Sequence, residues 1–203
     1  MINNNLKCEA FPCEDVNKEG YQIVKVKLNP DNVKVFMIVE AMPINSKDYF
    51  YSNNSPEYMT TTLQAFNDAE CKVNSIEDIL NLGFYLTSAI KCAKIGYSIS
   101  TATIKNCSQI LEKEFLQFPN LKVIMLMGDV AIKSFNYISN RIIGSRTIPA
   151  GSTYKIRKNE FYYNNIRVFP SYVPVGKNYL IEKSKRKMIA EDIKNAFELI
   201  KDF

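Results

Sequence analysis

The chain has 203 residues, enough to bury the core of one domain, and with 46% hydrophobic and 23% charged residues it is composed like a globular protein, not a disordered one. Lys and Arg total 26 against 21 Asp and Glu, a formal +5 that allows a nucleic-acid partner without requiring one. Histidine is absent, which excludes an imidazole base, a histidine-dependent triad and any imidazole metal ligand; catalysis has to run on carboxylates, Lys, Tyr, Cys, backbone groups or a cofactor.

The opening residues Met1 to Asn5 lack the basic and apolar segments of a signal peptide. The strongest apolar runs, Val35 to Val39 and Val123 to Met127, are far too short to cross a bilayer. A cytoplasmic protein is expected, and in a reducing compartment its five cysteines read as thiols or metal ligands, not disulfides. In chain order, Tyr21 to Leu28 alternates apolar and polar residues and predicts a half-exposed strand, ended by Asn29-Pro30-Asp31-Asn32. Val33 to Val39 is continuous and β-branched, the pattern of a strand covered on both faces. A polar, aromatic loop over Ile44 to Ser55 precedes a helix predicted over Pro56 to Glu70. Ser75 followed by Asp78 has the form of a helix start. Phe84 to Ile90 predicts a second buried strand and Thr103 to Phe118 a helix, with Ile104, Cys107, Leu111 and Phe115 on one face. Leu121 to Met127 predicts a third buried strand, after which Gly128-Asp129 opens a helix. Tyr154 to Phe169 predicts a hairpin turned at Asn164-Asn165, and Leu180 to Phe203 a closing amphipathic helix with Ile189, Ile193, Phe197 and Ile200 inward.

Buried strands alternating with helices imply a mostly parallel sheet covered on both faces, an α/β sandwich, and with no repeat or linker residues 1–203 read as a single domain. Ligands of such sheets bind outside the carboxyl ends of the strands. That singles out Glu40 to Pro43, Thr87 to Cys92 and Gly128-Asp129, with Pro170 to Gly176 able to close the same mouth.

Cys8 and Cys13 have four residues between them and lie outside any periodic apolar segment. Cys92 is flanked by Lys91 and Lys94, and Cys107 follows after fourteen intervening residues; Cys71 stands alone. All five could be small buried apolar residues. Four thiolates can equally hold an iron–sulfur cluster or a zinc ion, and one loose plus one wide pair suits a cluster at least as well as a zinc ribbon.

Taken together the segments resemble the uracil-DNA glycosylase superfamily, in its iron–sulfur, family 4-like branch. That pattern has an N-terminal cysteine pair, a buried strand ending in G-E-A-P-G, another ending in T-N-x-x-K-C, a fourth cysteine some fifteen residues on, a strand ending in L-G, and an H-P-S loop. The chain offers Cys8 and Cys13, Val39-Glu40-Ala41-Met42-Pro43, Thr87-Ser88-Ala89-Ile90-Lys91-Cys92, Cys107, Met127-Gly128-Asp129 and Ser171-Tyr172-Val173-Pro174, in the same order. The resemblance implies a three-layer α/β/α sandwich and a structural 4Fe-4S cluster on Cys8, Cys13, Cys92 and Cys107, zinc being the alternative. The chain departs from the pattern where the chemistry should be: Ser88 stands in the place of the family's base-reading Asn and Val173 in that of its His.

The resemblance further implies a DNA partner, a base flipped into a pocket and hydrolysis of the N-glycosidic bond of uracil or a related damaged base by a monomer. Glu40 would position water or stabilise an oxocarbenium-like sugar; its alternative is a loop or helix-capping carboxylate. Ala41, Tyr58 and Ser88 would meet the base, with Phe50 and Tyr51 as rival aromatic faces. A Ser in place of Asn predicts altered base choice, and loss of a donor at Val173 predicts weak activity on uracil. Tyr172, Val175 and Lys177 would engage DNA, with Lys183, Lys185, Arg186, Lys187, Arg157, Lys158 and Arg167 adding charge. The basic run from Lys183 to Lys187 reads equally as a solvated helix face. A non-catalytic nucleic-acid-binding protein keeping the cluster is the alternative function. A third reading is an α/β protein with structural zinc and a small-molecule ligand.

Overall fold

A computed structural model describes residues 6–52 and 56–201; the side chains of Ser46, Lys177 and Asn178 lie outside the described ones. Six strands, β1 (Val16–Asn17), β2 (Val35–Met42), β3 (Phe84–Lys94), β4 (Val123–Met127), β5 (Phe161–Tyr163) and β6 (Ile166–Ser171), form one sheet in the order β1-β3-β2-β4-β6-β5. The inner four run parallel, while β1 and β5 are antiparallel edges. The helices are α1 (Glu57–Asp68), α2 (Ile76–Asn81), α3 (Thr101–Phe115), α4 (Asp129–Ile143), α5 (Thr153–Ile156), α6 (Lys177–Ile181) and α7 (Lys183–Glu198).

The continuous apolar runs became the inner strands because both of their faces are covered. Along β2 every residue except Glu40 is buried. Alternation sorts the side chains into two layers. Phe36 stacks on Tyr85 of the neighbouring strand at 5.7 Å and meets Phe115 of α3 at 5.8 Å. Phe115 in turn meets Phe135 of α4 at 6.0 Å. Phe84, one residue along, points the other way to Phe66 of α1 at 4.9 Å and Phe197 of α7 at 6.5 Å. Helices α3 and α4 thus cover one face and α1 and α7 the other, the three-layer α/β sandwich expected. Among the described residues no helix is long and apolar enough to cross a membrane.

Local signals set several boundaries. Ser75 and Asp78 form a reciprocal capping box at α2. Asn164 takes a left-handed φ of 53° and turns the hairpin between β5 and β6.

Three expectations need correction. Tyr21 to Leu28 is not a strand: Gln22 N–H donates to Lys91 O at 2.8 Å and Val24 is buried, but the segment does not join the ladder. Its alternation records half-burial, which extended backbone satisfies without pairing. The first part of the expected hairpin is instead helix α5, so the paired arms start only at Phe161. The closing helix is two, α6 and α7, separated at Glu182, whose φ of −88° and ψ of 78° are not helical; residues 202–203 lie outside the described ones.

Candidate functional site

The carboxyl ends of β2, β4 and β6 converge on Gly128. Its N–H donates to Ser171 O at 3.0 Å, and its φ of 108° turns the chain from β4 into α4. A Cβ there would lie 2.6 Å from Glu40 Oε1 and 2.7 Å from Val173 Cγ2, so the three residues are packed against one another. Val130 N–H, in the first turn of α4, points at Glu40 Oε1 at 3.4 Å. A helix start favours an anion at this point, and Glu40 caps it while remaining partly open to solvent. A hollow of about 200 Å3 opens beside this junction, lined by Gly128, Asp129, Tyr172, Val173, Tyr179 and Lys185 among others.

Tyr58 of α1 stands near the same carboxylate. Its hydroxyl reaches Ala41 O at 3.5 Å and its ring lies 5.5 Å from that of Phe50. Burial, then the charge of Glu40, push its hydroxyl up to about 12. The rivals are built into the interior. Phe50 is fully buried, and the Tyr51 hydroxyl donates to Leu86 O at 3.0 Å and accepts from Leu86 N–H at 3.2 Å, fastening its loop to β3. Ala41 is buried beside Glu40.

Ser88 is also fully buried, and its hydroxyl donates to Ile90 O at 2.9 Å. The hydroxyl is spent on its own strand. Thr87 and Lys91 join a second buried group that the sequence did not suggest. Lys91 Nζ donates to Glu114 Oε2 at 2.5 Å, to Thr87 Oγ1 at 2.7 Å and to Ser88 O at 2.7 Å. Tyr85 donates to the other oxygen of Glu114 at 2.7 Å. The sequence trace of this network is a Lys set among apolar neighbours, Ala89-Ile90-Lys91-Cys92-Ala93, while Glu114 follows Glu112 and Lys113 and reads as part of a charged helix surface.

The loop after β6 is tied down by Gly176 N–H donating to Thr61 Oγ1 at 3.2 Å. Tyr172 and Val175 are partly buried, packing against the core, and Lys185 Nζ lies 5.6 Å from the Tyr172 ring centroid. The expected side chain of Lys177 is outside the described residues. All three arginines expected to add charge beside this loop have partners. Arg157 is buried, paired with Asp192 at 2.6 Å, and Asp192 also accepts from Ser171 Oγ at 2.6 Å. Arg186 Nη2 donates to Asp68 at 2.7 Å, and Arg167 donates to three carbonyls while stacking on Phe169 at 4.4 Å. Lys158, Lys183 and Lys187 are exposed.

At the other edge of the sheet, Cys8, Cys13, Cys92 and Cys107 line one cavity of about 320 Å3, together with Phe11 and Tyr21. The N-terminal segment is pinned there. Cys8 N–H donates to Tyr21 Oη at 2.9 Å, Asp15 accepts from Ser100 N–H at 2.6 Å, and Val16 pairs with Lys94. Burial first, and then the neighbouring thiols, push Cys92 up to about 12. Cys107 rises to about 11, again chiefly through burial, although Lys91 N–H donating to its Sγ at 3.3 Å opposes the shift. Among the described residues no group of three or more His, Cys, Asp or Glu is placed to hold a metal ion. Cys71 is buried elsewhere, its Sγ 3.7 Å from Ala69 O.

The chain is thus a three-layer α/β sandwich with a carboxylate where strand ends and a helix start meet, and in such sheets ligands bind outside the carboxyl ends of the strands. The Uracil DNA glycosylase superfamily profile matches residues 26–196, and the chain belongs to that superfamily. Membership carries a DNA glycosylase-like function in general terms, with DNA as the partner. Glu40, Cys92, Cys107 and Val173 fall within the matched span, and Cys8 and Cys13 precede it. No curated protein matches the chain.

Proposed function

We propose that the protein is a divergent DNA glycosylase that flips uracil or a related damaged base out of DNA and hydrolyses its N-glycosidic bond. The observation that carries this is Glu40 held at the junction of Gly128, Val173 and the first turn of α4. Glu40 orients a water toward C1′ of the flipped nucleotide and opposes the positive charge that grows on the sugar as the C1′–N bond breaks. The water oxygen bonds to C1′, the base departs with the electron pair of the old bond, and the proton released from water neutralises it. Tyr58 offers a ring face beside the carboxylate. Val173 has no proton to donate to the leaving base and Ser88 Oγ already donates to Ile90 O, so base selection rests on shape and backbone groups. Tyr172, Val175 and Lys177 engage the strand.

The four cysteines around one cavity support a structural 4Fe-4S cluster, with a zinc ion as the alternative. When bound, the cluster supplies a structural clamp, and the chain's own residues hold the N-terminal segment against β3 beside it. The whole chain is proposed to act as one monomeric domain.

Single-turnover assays with single- and double-stranded DNA carrying uracil, hypoxanthine or xanthine test the proposal. Excision that falls by about a hundredfold or more in Glu40→Gln supports it. A folded protein that cleaves none of them sinks the enzyme reading. Salt-sensitive DNA binding indifferent to Glu40→Ala would then favour a non-catalytic binder, a reading that the inward Ser88 hydroxyl and the apolar Val173 support.

A further inference from the structure

Between β2 and β3 the register slips: Ala41 pairs with Ile90, but the next residue, Met42, pairs with Ala93. Lys91 and Cys92 are the extra residues of a bulge, a device that re-aims side chains at the end of a strand. Every polar group of Lys91 has a partner. Its N–H donates to Cys107 Sγ at 3.3 Å and its carbonyl accepts from Gln22 N–H at 2.8 Å. Its ammonium folds back to Ser88 O, Thr87 Oγ1 and Glu114. Lys91 is 1% and Glu114 0% exposed, so the pair is wholly out of water.

Such a pair is a poor stabiliser, because desolvation offsets its attraction and apolar replacements are often as stable. What it fixes is direction. Glu114 lies seven residues after Cys107 on α3, two helical turns along, and therefore on the same face. Docking Glu114 on Lys91 sets Cys107 against the Lys91 N–H. With the ammonium held to one side of the bulge, the following residue, Cys92, is turned to the other side and into the cavity.

We propose that the buried Lys91–Glu114 pair is a positioning device that docks α3 on the β3 bulge so that Cys92 and Cys107 face one cavity together. The inference rests on the cluster reading for its ligand but not for its geometry.

The test compares the natural chain, purified without oxygen, with Lys91→Met/Glu114→Gln, which removes both charges and keeps an acceptor for Tyr85. Iron per chain, the visible sulfur-to-iron absorption and its bleaching by a chelator are measured. So are the alkylation rates of Cys92 and Cys107 in the chelated chain, read by mass spectrometry. The expected result is a folded variant whose absorption bleaches about tenfold faster, the size of effect that second-layer partners have on metal sites, with alkylation of both thiols accelerated together. A folded variant that bleaches and alkylates like the natural chain overturns the proposal. If the double variant does not fold, Glu114→Gln alone is held to the same criteria. A natural chain without iron or sulfide refutes the cluster instead, and the alkylation rates still decide whether the pair positions the thiols.

Discussion

Replacing Gly128 by Ala separates two effects that the geometry predicts in numbers. The residue has a φ of 108°, where a Cβ strains the backbone by about 2 kcal/mol. The new methyl would also start 2.6 Å from Glu40 Oε1, against an ordinary contact of 3.4 Å or more, so the carboxylate has to retreat by about 0.8 Å. Val173, at 2.7 Å on the other side, blocks the methyl from moving away. A shift of that size at a reacting group is worth about a hundredfold in rate. Gly144→Ala is the control. Its φ of 75° is also left-handed, but nothing lies within 4 Å of the added methyl, so only about 1 kcal/mol of strain is expected. Thermal melts followed by circular dichroism should show Gly128→Ala lower by roughly 4–8 °C and Gly144→Ala by about half of that. Single-turnover excision should collapse in the first variant and survive in the second. If Gly128→Ala melts no lower than Gly144→Ala, Glu40 and Val173 are not wedged against this glycine and the reasoning fails, whatever the activity.

The Arg186 hydrogen bond, helped by Tyr179 and Gln64 and opposed by burial, holds the Asp68 carboxyl down at about 2 against an ordinary 3.8. Its folded-state value being the lower one, the stability it contributes is present above about pH 4 and disappears as the pH falls through 2; the urea midpoint should drop across that window, and less so in Asp68→Asn. Arg157→Met strands a buried Asp192 carboxylate and should remove about 3 kcal/mol of stability. Adding Asp192→Asn to it should recover part of that loss, as read by urea denaturation; no recovery would show that packing, not charge, holds Arg157.

The inner strands β2, β3 and β4 were legible because burial on both faces leaves an unbroken apolar run that no neighbour can disguise. Capping at Ser75 and the turn at Asn164 were legible because their chemistry is local. Strand β1, two residues long, owes its existence to an edge of β3 far away in sequence and leaves no pattern of its own. The same holds for polar partners. Lys91 and Glu114 are 23 positions apart, Arg157 and Asp192 35, Arg186 and Asp68 118, and nothing in either member announces the other. Charged residues therefore read as a basic face when several of them close internal pairs. The place of Glu40 at a strand end was readable from the buried run before it, whereas the Ser88 hydroxyl finds its acceptor, Ile90 O, within a strand whose burial on both sides only the assembled sheet provides.

The latch between Asp15 and the start of α3 spans 85 positions. During synthesis the segment carrying Cys8 and Cys13 can pair with β3 once Lys94 is made, but the Asp15 latch closes only when the start of α3 has left the ribosome. Cys8 and Cys13 are thus made well before their companions, and whatever fills the space among the four sulfurs can be enclosed only after Cys107 exists. A nascent chain halted before Ser100 could pair β1 with β3 but would lack both the Asp15 latch and Cys107.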